Sequence, residues 1–135
     1  MSTARDDEGQ AVVEFALVAP ILILLLVGIF EFGRAWSAHQ ALTDAAREGA
    51  RAAVVADLLV SEDSVRAIVR NALNRVSLDG SRAVIELSGV DAATGEPARV
   101  EVRYGYQFGL LKPLGAVLGN GGTVTLATAF VMRNE

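Results

Sequence analysis

The chain begins with polar and charged positions, turns uniformly apolar, and then settles into two amphipathic periodicities. From Phe15 to Phe30 no side chain carries a charge. Those 16 residues make about 24 Å of helix at 1.5 Å each, against a hydrocarbon core of about 30 Å. Recruiting Gln10 to Val13 fills the remaining thickness, so the pattern predicts a transmembrane helix. Pro20 removes one helical hydrogen bond and predicts a bend; like Gly28 it is tolerated in a membrane helix. Beyond Glu31 the stretch Phe32 to Asp57 lacks proline and is rich in alanine. Asp44, Arg47, Glu48 and Arg51 interleave at i+3 and i+4, which predicts a helical extension. Ala35, Ala38, Leu42, Ala45, Gly49, Ala52 and Ala56 recur at alternating steps of three and four. Such a seam of small residues lets another backbone approach closely. Its partner is either the protein's own sheet or a neighbouring helix.

A second helix is predicted after Ser61. That serine is placed to cap it, Glu62 and Asp63 suit its first turn, and Val65, Ile68, Val69, Ala72, Leu73 and Val76 form one apolar stripe. Asp79-Gly80 is expected to end it in a turn. The period then changes to two. Ala83, Ile85 and Leu87 alternate with Val84, Glu86 and Ser88, while Thr94 to Pro97 marks a turn. Val100, Val102, Tyr104, Tyr106 and Phe108 alternate with polar or small neighbours. A last strand is predicted from about Thr123 to Arg133, with Val124, Leu126, Phe130 and Met132 inward. The expected fold class is α+β: a long N-terminal helix with a soluble extension, one amphipathic helix and a small three-stranded antiparallel sheet. Leu110 to Gly122 is apolar yet full of helix breakers, and reads either as a loop over the core or as an exposed patch.

At 135 residues the chain is one domain with an appendage. The formal charge of −4 arises at the N-terminal end, since the acidic and basic residues from Phe32 onward balance. No basic stripe carries interleaved aromatics, so nucleic acid is not an expected partner. The absence of cysteine removes disulfides and thiolate chemistry. His39 is the single histidine, with no nucleophile motif beside it. Gly119 to Gly122 lacks the lysine and following helix of a phosphate loop. Catalytic, cofactor and metal sites are therefore all expected to be none, and no small-molecule substrate is indicated.

The first 15 residues carry the candidate chemistry. Residues 1–9 have nothing to bury and are expected to be disordered. Their acidity is wrong for a secretory n-region, and no clean small-x-small site follows the apolar run, Ala35-Trp36-Ser37 being the nearest. Glu14 lies one turn inside the apolar edge, where a carboxylate at the centre would cost about 2.5–3.5 kcal/mol. Cutting after Gly9 would create an α-amine on Gln10, four residues away on the same helix face and suited to pair with Glu14. Without a cut, Glu14 is an interfacial residue of an ordinary anchor.

Gly-x-x-x-x-Glu followed by an aromatic, here Gly9, Glu14 and Phe15, resembles the prepilin-peptidase site of tight-adherence (Flp) pilins. The stretch Gly9 to Ala53, including Ala45 to Arg51, resembles the TadE-like family of minor pilins or pseudopilins. The resemblance implies a leader at 1–9, cleavage between Gly9 and Gln10, a transmembrane helix at 10–31 and an extracytoplasmic α+β domain at 32–135. It further implies an assembly role for Glu14 and Phe15, although the main Flp pilins have tyrosine at the latter position. Its implied partners are membrane lipid, a prepilin peptidase, other pilins and pilus assembly proteins. Basic residues alone point the other way on orientation, with Arg5 before the span and Arg34 and Arg47 after it. The alternative function is an unprocessed single-pass protein whose domain binds or supports another component.

Overall fold

The computed structural model describes residues 3–54, 61–90, 92–112, 115, 119 and 121–134. Helix α1 spans Thr3–Val54 and helix α2 spans Glu62–Arg75. Strands β1 (Ala83–Ser88), β2 (Pro97–Gln107) and β3 (Thr123–Arg133) follow, in the order β1-β2-β3 and antiparallel throughout. The architecture is the α+β plan expected from the two periodicities.

Helix α1 corrects one expectation. It starts at Thr3, so residues 3–9 are helical and not disordered. Propagation from the apolar run adds one hydrogen bond per residue fixed, which extends the helix toward the N-terminus. The helix continues through Pro20. The end of the predicted extension, 55–57, lies outside the described residues together with Ala56 of the seam.

The two halves of α1 meet different surroundings. Val12 to Phe30 presents large apolar side chains outward. Beyond Glu31 the small residues turn inward, and Ala38, Leu42, Ala45, Ala46, Gly49, Ala50 and Ala53 are buried. The seam packs on the protein's own sheet and on α2. A Cβ at Gly49 would come within 2.5 Å of Val69 Cγ2, which shows how closely the two helices approach there. A three-stranded sheet cannot hide its apolar face alone, and these helices supply the second layer.

Ser61 caps α2 by accepting from the Ser64 N–H at 3.2 Å. Val65, Val69, Ala72 and Leu73 bury the predicted stripe. Val76 departs from it and is exposed, because α2 ends at Arg75, ahead of Asp79-Gly80. The chain leaves through Ser77 (φ 62°), with the Leu78 N–H returning to the Leu73 carbonyl at 3.0 Å and the Ser77 N–H to Asn74 at 3.1 Å. This closure usually takes glycine at the left-handed position. Asp79 instead caps a short 3-10 turn, Gly80–Arg82, that feeds β1. Two hydrogen bonds from Ser81, first its hydroxyl and then its backbone N–H, hold the Asp79 carboxyl below its ordinary value.

The inner face of β2 is the centre of the core: Val100 and Val102 are fully buried, and Tyr104 and Tyr106 nearly so. Leu126, Phe130 and Met132 of β3 pack against it half-buried, whereas Val124, also expected inside, is 40% exposed at the end of its strand. On the outer face Glu101 accepts from Arg99 Nη2 at 2.9 Å and Arg103 Nε at 2.8 Å, and Arg103 also pairs with Glu86 at 3.3 Å.

The sheet climbs along α1. Thr43 Oγ1 lies 3.3 Å from Thr128 Oγ1, and the Arg47 guanidinium sits 5.1 Å from the centroid of the Phe130 ring. Four residues of helix advance about 6 Å and two of strand about 6.8 Å, so β3 rises in step with α1.

Candidate functional site

The proposed processing residues stand on the exposed part of α1. Gly9, Gln10, Glu14 and Phe15 are all solvent-facing, and Gly9 and Gln10 are in continuous helix. Gln10 and Glu14 are one turn apart, about 6 Å along the axis. Among the described residues Glu14 has no ion-pair partner. All four are exposed, so among the described residues the distal domain does not cover them. They form a linear motif, not a pocket.

A second constellation forms where the apolar run ends. Glu31 is completely buried, the largest departure from apolar packing in the core. Its Oε1 accepts the Leu110 N–H at 2.6 Å and its Oε2 the Gly109 N–H at 3.2 Å. Arg34, one turn on, lies 3.7 Å from Oε1 and remains half-exposed. The chain just after β2 is thus held against α1 by one carboxylate. Gly109 leaves room for this, since a Cβ there would stand 3.1 Å from Arg34 Nη1 and 3.2 Å from Glu31 Oε1. Sequence reasoning used Glu31 only to close the apolar run; its partners lie 78 and 79 residues away, and no local pattern announces them.

Around this clasp the exposed surface is aromatic and apolar. Phe32 stacks on Trp36 at 6.4 Å between centroids, and Trp36 on His39 at 6.2 Å. Such a ladder suits a membrane–water boundary, where amphipathic rings concentrate. His39 is half-buried within it. Leu110 is exposed beside Glu31, and its neighbour Gly109 continues into the Leu110 to Gly122 stretch. Much of that stretch (113, 114, 116–118 and 120) lies outside the described residues, and with it the choice between core-covering loop and exposed patch.

Among the described residues no three His, Asp or Glu side chains converge as a metal site. A shallow groove of about 340 Å³ between α1 and the α2 exit is lined by Arg34, Ser37, Ser77, Leu78 and Tyr106, without a nucleophile–base pair.

α1 is long and apolar enough to cross a membrane, and none of its most apolar stretch is buried. No curated protein and no solved structure matches the chain. The segment from the candidate cleavage glycine through the span to the buried seam does have a counterpart: residues 9–51 match the family described as TadE-like protein.

Proposed function

We propose that the protein is a membrane-anchored minor pilin or pseudopilin of a tight-adherence (Flp, type IVb) pilus system, cleaved after Gly9 by a prepilin peptidase. The TadE-like match ties the chain to tight-adherence pilus systems. The observation that carries the finer reading is the division of α1: one helix offers an unburied apolar half from Val12 to Phe30 and a buried half under the sheet from Ala38 to Val54. A subunit of this shape can leave the bilayer for a fibre by exchanging lipid for neighbouring helices, without unfolding its domain. Glu14 guides that exchange, because a carboxylate in an apolar surface gains most by pairing with the new amine of Gln10 on its own or an adjacent chain. The domain lies outside the cytoplasmic membrane, and the partners are other pilins and the assembly machinery.

A second reading, an unprocessed single-pass anchor with a structural or binding domain, is favoured by one feature. The helix is unbroken across Gly9–Gln10, and cleavage there requires the first two turns to unwind. Gly9 eases that step by about 1 kcal/mol relative to alanine.

N-terminal sequencing of membrane-extracted protein separates the readings. A start at Gln10 is expected; an intact leader refutes processing, and a start beyond Trp36 refutes both. Glu14→Ala should leave the mature start unchanged and reduce incorporation into sheared fibres at least about tenfold, equivalent to about 1.4 kcal/mol of lost pairing. Normal incorporation would remove Glu14 from assembly.

A further inference from the structure

β3 is an edge strand of unusual openness. It pairs with β2 over eleven consecutive positions without a bulge, and Thr123 to Met132 contains no charge, proline or glycine. Natural edges are usually blunted by one of these devices, because a bare row of N–H and C=O groups recruits another strand. Threonine, valine and phenylalanine along β3 favour that outcome. Among the described residues no strand pairs with its free side. The opposite edge, β1, is also free, with Glu86 as its only charge.

Geometry restricts what can add to β3. Both β1 and β3 run antiparallel to β2, hence parallel to each other, and both rise with α1 away from the apolar span. A two-fold pairing of β3 on β3 either points the two α1 helices in opposite directions or sets them on opposite faces of the joint sheet. The first is incompatible with two copies inserted the same way in one membrane. The second leaves each half-buried inner row beside an outward one. Pairing β3 with the β1 edge of a second copy keeps the helices parallel and on one face.

We propose that copies of this chain join side by side through β3 of one and β1 of the next, in parallel, as a continuous sheet. This rests on α1 being the membrane span. Within one chain the shared neighbour β2 sets Leu126 to Val131 level with Ala83 to Ser88, and copies standing at equal depth keep that register across the junction. Leu126 then meets Ala83 and Phe130 meets Leu87 on the inner face. Outside, Ala127 meets Val84, Ala129 meets Glu86 and Val131 meets Ser88. No like charges face one another, and Val84 (56% exposed) and Val131 (52% exposed) lose water. The interface is head-to-tail and open, so it continues to further copies.

The natural absence of cysteine makes this directly testable. Level residues on adjacent strands stand about 4.8 Å apart, within disulfide range. The full chain carrying A129C with E86C, oxidised in native membranes, should give a ladder of dimers, trimers and larger species; each single variant should stay monomeric. The pair A127C with V84C should repeat the ladder, which guards against a folding defect in the first. Monomer only from both pairs, efficient dimers from A129C alone, or a product joined solely to a protein of another size overturns the proposal. Sequencing the N-terminus in the same samples keeps the outcomes separate: absence of cross-linking in chains that begin at Gln10 removes the edge pairing and leaves the pilin reading standing.

Discussion

Removing the Glu31 carboxylate is expected to release the chain after β2 from α1. In Glu31→Ala the Gly109 and Leu110 N–H groups lose their acceptors, at 3.2 and 2.6 Å, and Arg34 loses its partner. Hydrogen bonds to a charged group contribute about 1.5–3 kcal/mol each, and an unsatisfied buried donor costs about 1–3 kcal/mol. Gly109 and Leu110 are near the surface, so water re-solvates them in part, and Arg34 is too exposed to add much. A net loss of about 2–4 kcal/mol follows. Glu31→Gln keeps one acceptor but turns an NH2 toward a backbone donor, and should lose about half as much. The readout is amide hydrogen exchange on the full chain in detergent micelles or bilayers, with thermal unfolding alongside. Gly109 and Leu110 should lose protection in both variants, more in alanine, while Val100 and Val102 in β2 stay protected. Unchanged exchange at 109 and 110 in Glu31→Ala would refute the clasp. Equal loss across β2 would show instead that Glu31 supports the whole core.

Two further outcomes follow from contacts elsewhere. Gly49→Ala should destabilise the domain by about 1–3 kcal/mol in thermal unfolding, since its methyl would meet Val69 Cγ2 at 2.5 Å; adding Val69→Ala should recover part of the loss by making room. Hydrogen bonds from Arg99 and then Arg103 hold the Glu101 carboxyl below its ordinary value. Its folded pKa is therefore lower than its unfolded one, so its stabilisation is complete above the ordinary carboxylate range and fades as pH falls through the lowered value. Glu101→Gln should flatten the acid limb of a stability–pH profile, and an unchanged limb would contradict this.

The elements whose residues answer to their neighbours in sequence were legible before folding. Period-two alternation located β1 and β3 at the bounds the structure has, and Ser61 declared the start of α2 through a bond to the N–H three residues on. The apolar run, with its uncharged length, marked the stretch of α1 that is long and apolar enough to cross a membrane. What was hidden depends on distance or on replacement of the usual residue. Ser77 occupies the left-handed position where glycine normally signals a helix end, so the stripe seemed to continue to Val76. Val124 lies in phase with the inner face but beyond the reach of the helices. Glu31 needed the approach of Gly109 across the whole domain, and Gly109 gave no local reason to expect it.

On the proposed reading, the unbroken course of α1 makes the protein a lever as well as an anchor. Its 52 residues extend about 78 Å, and the sheet is fastened to the same rod from Glu31 onward, with the clasp where the apolar stretch ends. Tilt adopted by the proposed span to match bilayer thickness would be passed to the sheet, and each residue by which the helix slid along the membrane normal would raise or lower the domain by about 1.5 Å. Membrane thickness would then set the height at which the proposed neighbouring subunits meet this one.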